Sequence, residues 1–154
     1  MINEALFSSD SSEWRTPLEL FHQLDMEFSF ELDAAATEEN ALCACFIDKE
    51  EDALSDKNPW HTFNSIFINP PYGRGVKKWC EKAWKESQKG CTVVMLLPAR
   101  TDTRWFHDWV YGRAEVRFLR GRLKFRFPDG TPIPSAAPFP SMVVVYRPPY
   151  QRSV

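Results

Sequence analysis

At 154 residues, with 44% hydrophobic and 26% charged side chains, the chain has the composition of one globular domain able to bury a core. No apolar run approaches the roughly 18 residues needed to span a membrane. The first ten residues lack the basic and apolar regions of a signal peptide, so a cytoplasmic protein is expected.

The net charge of −2 hides an asymmetry: residues 1–75 hold 15 acidic and 4 basic side chains, residues 76–154 hold 6 and 15. A basic half fits a one-sided phosphate-binding surface, unless the two halves mix in space and cancel.

Residues 1–12 are expected to be a flexible N-terminus, 13–148 one domain, and 149–154 a tail. Thr16 and Glu19 have capping-box spacing and Pro17 suits a first helical position, so a helix is expected over 17–24, with Leu20, Phe21 and Leu24 inward and Trp14 stapled onto it. Residues 28–33 alternate and read as a half-buried strand. It ends in Asp33-Ala34-Ala35-Ala36, a carboxylate followed by small residues that let a ligand approach the backbone, such as the methionine or ribose part of a cofactor. No Gly-rich fingerprint accompanies it. Residues 37–42 read as loop or short helix and 43–47 as a short strand. Residues 48–57 form an acidic loop holding Asp52-Ala53-Leu54, where a carboxylate could accept from an adenine amine or be one of a solvated run.

The apolar run Ser65-Ile66-Phe67-Ile68 reads as a buried strand, followed by Asn69-Pro70-Pro71-Tyr72 and the loop residues Gly73, Arg74 and Gly75. Residues 76–88 form an amphipathic helix with Val76, Cys80, Ala83 and Trp84 inward and Lys77, Lys78, Glu81, Lys82, Lys85 and Glu86 outside. Residues 92–98 are apolar on both faces, as in a central parallel strand. A loop and helix over 99–110 and strands over 114–119, 121–127 and 141–146 complete the pattern. Between the last two strands, residues 128–140 hold five of the 12 prolines. The four cysteines form no Cys-x-x-Cys pair and the three histidines are scattered, so reduced thiols and no metal site are expected.

Asn69-Pro70-Pro71-Tyr72 at a strand end suits methylation of a conjugated exocyclic amine. The lone pair of such a nitrogen is delocalised into its ring. Two acceptors aimed at its two N–H bonds, the Asn69 side-chain oxygen and the Pro70 carbonyl, localise that pair. Pro71 restricts Pro70 to an extended conformation, which fixes the direction of its carbonyl. Tyr72 offers a face on which a flipped-out base can stack. No cysteine follows a proline, which argues against the thiol nucleophile of cytosine C5 chemistry.

Several stretches, in order, resemble the phage-type DNA N-6-adenine methyltransferases, the Dam family: Glu13-Trp14-Arg15-Thr16-Pro17, Leu32-Asp33-Ala34-Ala35-Ala36, Asp52-Ala53-Leu54, Asn69-Pro70-Pro71-Tyr72, Leu97-Pro98-Ala99-Arg100-Thr101, Gly121-Arg122-Leu123 with Phe125, and Ser141-Met142. The resemblance implies a Rossmann-like α/β methyltransferase fold, a mostly parallel sheet flanked by helices. It implies S-adenosylmethionine as donor and a flipped-out adenine in double-stranded DNA as acceptor. By position, Asn69, Pro70, Pro71 and Tyr72 are then catalytic. Trp14, Thr16, Pro17, Asp33, Ala34, Ala35, Asp52 and Ala53, with Asn69, bind the cofactor.

The charge asymmetry places DNA contacts at Arg100 and Arg104, with Thr101 between them, and at Arg122 and Lys124. These last two share one face of an alternating strand with Arg126. No separate target-recognition domain, membrane association or obligate protein partner is expected. The same tetrapeptide occurs in methyltransferases of protein glutamine and ribosomal RNA guanine, which resemble the chain only around Asn69. A non-catalytic DNA-binding or anti-restriction module of the same fold is the other alternative.

Overall fold

A computed structural model describes residues 14–151; the N-terminal residues 1–12 expected to be flexible, with Glu13, and the last three residues of the tail lie outside the described residues. The sheet is built around β4 (Thr92–Pro98), which is apolar from Val93 to Leu97 and buried on both faces. It pairs in parallel with β3 (Ser65–Ile68) and antiparallel with β6 (Ser141–Tyr146). With β1 (Leu32–Asp33), β2 (Cys45–Phe46) and β5 (Glu115–Phe118), the order is β2-β1-β3-β4-β6-β5. Of these six strands, β6 runs against the other five. The chain steps from β1 outward to β2, then returns to the other side of β1 as β3. The order therefore reverses between β1 and β3, where open α/β sheets leave a crevice at the strands' carboxyl ends.

The pleat divides the core into two layers. One face presents Ile66, Ile68, Val93, Met95, Leu97, Met142, Val144 and Tyr146 to α2 (Val76–Gln88), α3 (Arg104–Trp109) and Trp60. The other presents Phe67, Val94, Leu96, Val143 and Val145 to α1 (Leu18–Phe28), Trp14, Phe125 and the proline-rich segment, the last through Ile133, Ala137 and Phe139. Each such buried side chain contributes about 1.5–3 kcal/mol. The proline-rich segment is thus part of a core layer. Its missing N–H donors cost little, because the segment folds back on residues 123–127: Ile133 N donates to Phe125 O at 2.9 Å and Ala137 N to Leu123 O at 2.8 Å.

Several sequence expectations are corrected. The capping box does not form: Pro17 is itself the N-cap and no side chain caps the helix. The strand expected over 28–33 shrinks to Leu32–Asp33, because α1 runs on to Phe28. Ser29 closes it in the left-handed region, and Phe28 and Phe30 stack at 5.8 Å, with Phe30 tilted onto Phe67 at 5.3 Å. The alternating segment 121–127 turns Leu123 and Phe125 onto the sheet's face, so it lies across the sheet and joins it at no edge; its bridges run to Arg15 and Pro132. On α2, Trp84 is only half-buried, whereas Glu86, expected outside, is 4% exposed and takes the His61 backbone N–H at 3.1 Å and pairs with Nδ1 at 2.5 Å.

The acidic and basic halves meet at one edge. Arg117 donates to both carboxylate oxygens of Glu27 at 2.6 Å and holds that carboxyl below its ordinary pKa. Arg100, Arg104, Arg122 and Lys124 make no ion pair among the described residues. No helix among those residues is long and apolar enough to cross a membrane.

Lys82 also turns inward. Its ammonium donates to the carbonyls of Ala53, Ser55 and Asn58 at 2.6, 2.9 and 2.7 Å, and lies 4.9 Å from the Trp60 ring centroid. It fastens the acidic loop onto α2. Lys82→Met should lower unfolding stability by about 1.5–3 kcal/mol, the scale of hydrogen bonds to a charged group. Hydrogen exchange over residues 53–58 should quicken; unchanged exchange there would show that other contacts hold the loop.

Candidate active site

β3 stops at Ile68 because the chain beyond it cannot continue the ladder. Its last pair is Ile68↔Met95, and Pro70 and Pro71 have no N–H to donate. Asn69 therefore stands half-buried at the carboxyl end of β3, beside the crevice. The Tyr72 hydroxyl donates to the Leu96 carbonyl at 3.3 Å, tying the loop to β4 beyond the last β3–β4 pair. The Tyr72 ring meets Phe139 and Phe125 nearly perpendicularly, with centroids 5.7 and 6.3 Å away. Burial pushes its phenol well above the ordinary pKa. Gly73, at φ +117°, makes the turn toward α2 that L side chains rarely adopt.

The Asn69 amide is held across the fold. Nδ2 donates to Thr16 Oγ1 at 3.1 Å and lies 3.5 Å from the Trp14 carbonyl. That carbonyl can only accept, so the amide's NH2 group faces it. Oδ1 is turned the other way and accepts no hydrogen bond from the described residues. Residues 14–17 are positioned in turn by a reciprocal backbone pair, Arg15 N to Arg126 O at 3.0 Å and Arg126 N to Arg15 O at 3.1 Å. Arg126 Nε also donates to the Thr16 carbonyl at 2.9 Å. Arg126 is thus half-buried and drawn away from the stripe expected with Arg122 and Lys124, which stay exposed. Nothing local in the sequence signals a bond that spans 110 residues.

Asp33 ends the neighbouring strand. It lies in register with Phe67, and Ala34 N donates to Phe67 O at 3.1 Å, which brings Asp33, Ala34 and Ala35 beside the strand end that carries Asn69. The carboxylate is 3% exposed and accepts only backbone N–H groups, from Ala35 at 3.3 Å and Leu42 at 3.2 Å. Burial raises its pKa to about 7, against the two hydrogen bonds that lower it. Burial, followed by the nearby Asp33 charge, pushes the Cys43 thiol up to about 12.

Asp52 makes no hydrogen bond to this group among the described residues. It sits exposed at φ 59°, accepts the Leu54 N–H at 3.1 Å, and belongs to the loop that Lys82 and Asn58 fasten. Ala53 buries in the same apolar layer as Ala34. Pro17 borders the Thr16 contact as the cap of α1. Arg100 follows β4 and lies over the Phe139 ring at 5.8 Å. Thr101 and Arg104 are exposed beside it, with α3 capped by Thr103. Arg122 reaches the Ala137 carbonyl at 3.4 Å. A separate open cavity of about 680 Å³, between α2 and α3, is lined by Lys77, Trp84, His107 and Arg113 among others and shares no residue with this site.

A model of the family described as DNA N-6-adenine-methyltransferase (Dam) matches residues 4–153. A DNA N-6-adenine-methyltransferase of Escherichia phage T1 is 33% identical over 111 residues, which is 71% of this chain and 45% of that protein. One of Haemophilus phage HP1 (strain HP1c1) is 30% identical over 113 residues, 72% of this chain and 64% of that protein. The chain thus spans less than two thirds of the length of these relatives.

The buried carboxyl has a consequence for stability. Asp33 has a folded pKa of about 7 against an ordinary 3.8, so its protonated form is favoured by the fold. Its contribution to stability is fully present below about pH 4 and is lost as pH rises through 7. The stability of wild type minus that of Asp33→Asn should therefore fall by a few kcal/mol between pH 4 and 7 and level off above it. Chemical denaturation at a series of pH values measures this; a difference independent of pH would mean that Asp33 is solvated.

Proposed function

The chain belongs to the DNA N-6-adenine-methyltransferase (Dam) family, and from that membership we propose that it transfers a methyl group from S-adenosylmethionine to the exocyclic amine of a flipped-out adenine in double-stranded DNA. The observation that carries the proposal is the Asn69 amide. It is gripped by its NH2 side, and its Oδ1 accepts no hydrogen bond from the described residues, which leaves it as an acceptor at the carboxyl end of β3. The strand order, with β6 reversed between β4 and β5, supports a Rossmann-like methyltransferase fold.

The donor fits the Asp33 crevice. A buried carboxylate bonded, among the described residues, to two backbone N–H groups and to no cation keeps acceptor capacity, so it suits a cationic ligand. Ala34 and Ala35 add little bulk beside it. When bound, S-adenosylmethionine supplies an electrophilic methyl group on a sulfonium centre. Asp33 and residues Trp14, Thr16 and Pro17 hold it there, with Asp52 and Ala53 on its adenine side.

Asn69 Oδ1 and the Pro70 carbonyl accept the two N–H bonds of the target amine and localise its lone pair. Pro71 keeps the Pro70 carbonyl in one direction. Tyr72, its ring fixed by the Leu96 and phenylalanine contacts, gives the base a rigid stacking surface. Arg100, Thr101 and Arg104, at the carboxyl end of β4, and Arg122 and Lys124 contact the phosphates. Catalysis is then chiefly positioning.

Asn69→Ala should lower turnover on duplex DNA by on the order of a hundredfold or more, with donor affinity by calorimetry nearly unchanged. Turnover close to wild type would remove Asn69 from the chemistry. Thr16→Val, which deletes the hydroxyl that Asn69 grips, should reduce turnover by about tenfold. Asp33→Ala and Asp52→Ala should each weaken donor binding by roughly 1.5–3 kcal/mol. Unaltered affinity in both would put the donor elsewhere. Ribosomal RNA and release factor, assayed in parallel with duplex DNA, should take no methyl group.

A further inference from the structure

Arg15 and Arg126 face each other as a reciprocally hydrogen-bonded antiparallel pair, so their side chains leave the backbone on the same side. Both guanidinium groups converge on Gly130. A side-chain carbon built there would lie 3.2 Å from Arg15 Nη1 and 3.8 Å from Arg126 Nη1. Gly130 takes φ +92°, so this position favours glycine, and its missing side chain leaves room for the two guanidinium groups to lie against it.

Two like charges directly opposite on neighbouring strands repel. Elsewhere the fold offsets such crowding: Arg117 and Arg147 share Glu27 and Glu115. Neither Arg15 nor Arg126 has an ion pair among the described residues. Asp129 is exposed and its Oδ1 is taken by the backbone N–H and hydroxyl of Thr131; those bonds first, and then the Arg15 charge, hold its carboxyl below its ordinary pKa. Of the donors the two forks present, Arg126 Nε has a partner, the Thr16 carbonyl. Arg15 Nε is buried with none. Burial first, and then the Arg15 charge, hold the Arg126 guanidinium below its ordinary pKa.

We infer that Arg15 and Arg126 together form an oxyanion site next to the Thr16 grip on Asn69, filled by a phosphate group of DNA or by the carboxylate of the donor's amino-acid end. Guanidinium forks bind both oxyanions through paired N–H donors. The choice between these two sources rests on the proposed methyltransferase reading; the oxyanion site itself does not.

The first test uses neither methyl transfer nor DNA. Inorganic phosphate is titrated into the 15N-labelled chain at constant ionic strength, and the Arg15 Nε–H signal is followed. It should shift saturably with phosphate, and Arg126→Gln should abolish the response. The second test compares wild type with Arg15→Gln. If the oxyanion is a DNA phosphate, the slope of log affinity against log salt should shrink by about one. If it is the donor's carboxylate, that slope should hold and S-adenosylmethionine should bind about tenfold more weakly. The inference is overturned if the phosphate response is absent, or if Arg15→Gln changes neither quantity. Should the wild-type chain bind neither donor nor DNA, the methyltransferase reading fails and the phosphate response alone decides the site.

Discussion

Two consecutive prolines stop β3, and much of the site follows from that stop. A ladder that cannot be extended forces the chain out of the sheet at Ile68, next to the crevice where the strand order reverses. Asn69 is the last residue before the prolines, so its amide is delivered to the crevice by a strand whose four residues are all buried. A side chain on so short and well-packed a base has little freedom left. The remaining freedom is removed by Thr16 and the Trp14 carbonyl, which fix which end of the amide points outward.

That grip depends on the layer built by the proline-rich segment. Phe125, Ile133, Ala137 and Phe139 bury against Val94, Leu96, Val143 and Val145, and this burial brings Arg126 alongside Arg15. The chain from residue 119 to 139 therefore acts as a brace. It covers one face of the sheet, supports Tyr72 through two ring contacts, and clamps residues 14–17 in place. Proline suits a brace of this kind, because it limits backbone freedom before folding as well as after it.

Charge is treated differently at the two ends of the molecule. Away from the crevice, three ionised groups are satisfied: Glu86 by His61, Glu27 by Arg117, and Lys82 by three carbonyls. Around the crevice, three others are not. Among the described residues, Asp33 is buried with no cation bonded to it, and Arg15 and Arg126 are crowded with no ion-paired anion. Burying a charge without its counter-charge is unfavourable for folding alone.

The sequence by itself determined the elements whose pattern is local. The run at 65–68, the amphipathic period at 76–88 and the apolar strands at 92–98 and 141–146 each appear where their side-chain spacing places them, because burial on one or two faces leaves little choice of conformation. The ordered motifs, ending in Asn69-Pro70-Pro71-Tyr72, were enough to point to the family. Alternation at 28–33 and 121–127 misled, because the same aromatic spacing can bury against a sheet's face as well as within its plane. Capping-box spacing misled at Thr16, since its hydroxyl found a stronger claim in an amide 53 residues away. Which way the Asn69 amide points, the burial of Asp33 and Glu86, and the meeting of Arg15 with Arg126 were decided only by tertiary structure. Each rests on a contact between segments far apart in the chain, and such contacts leave no periodicity in the residues around them.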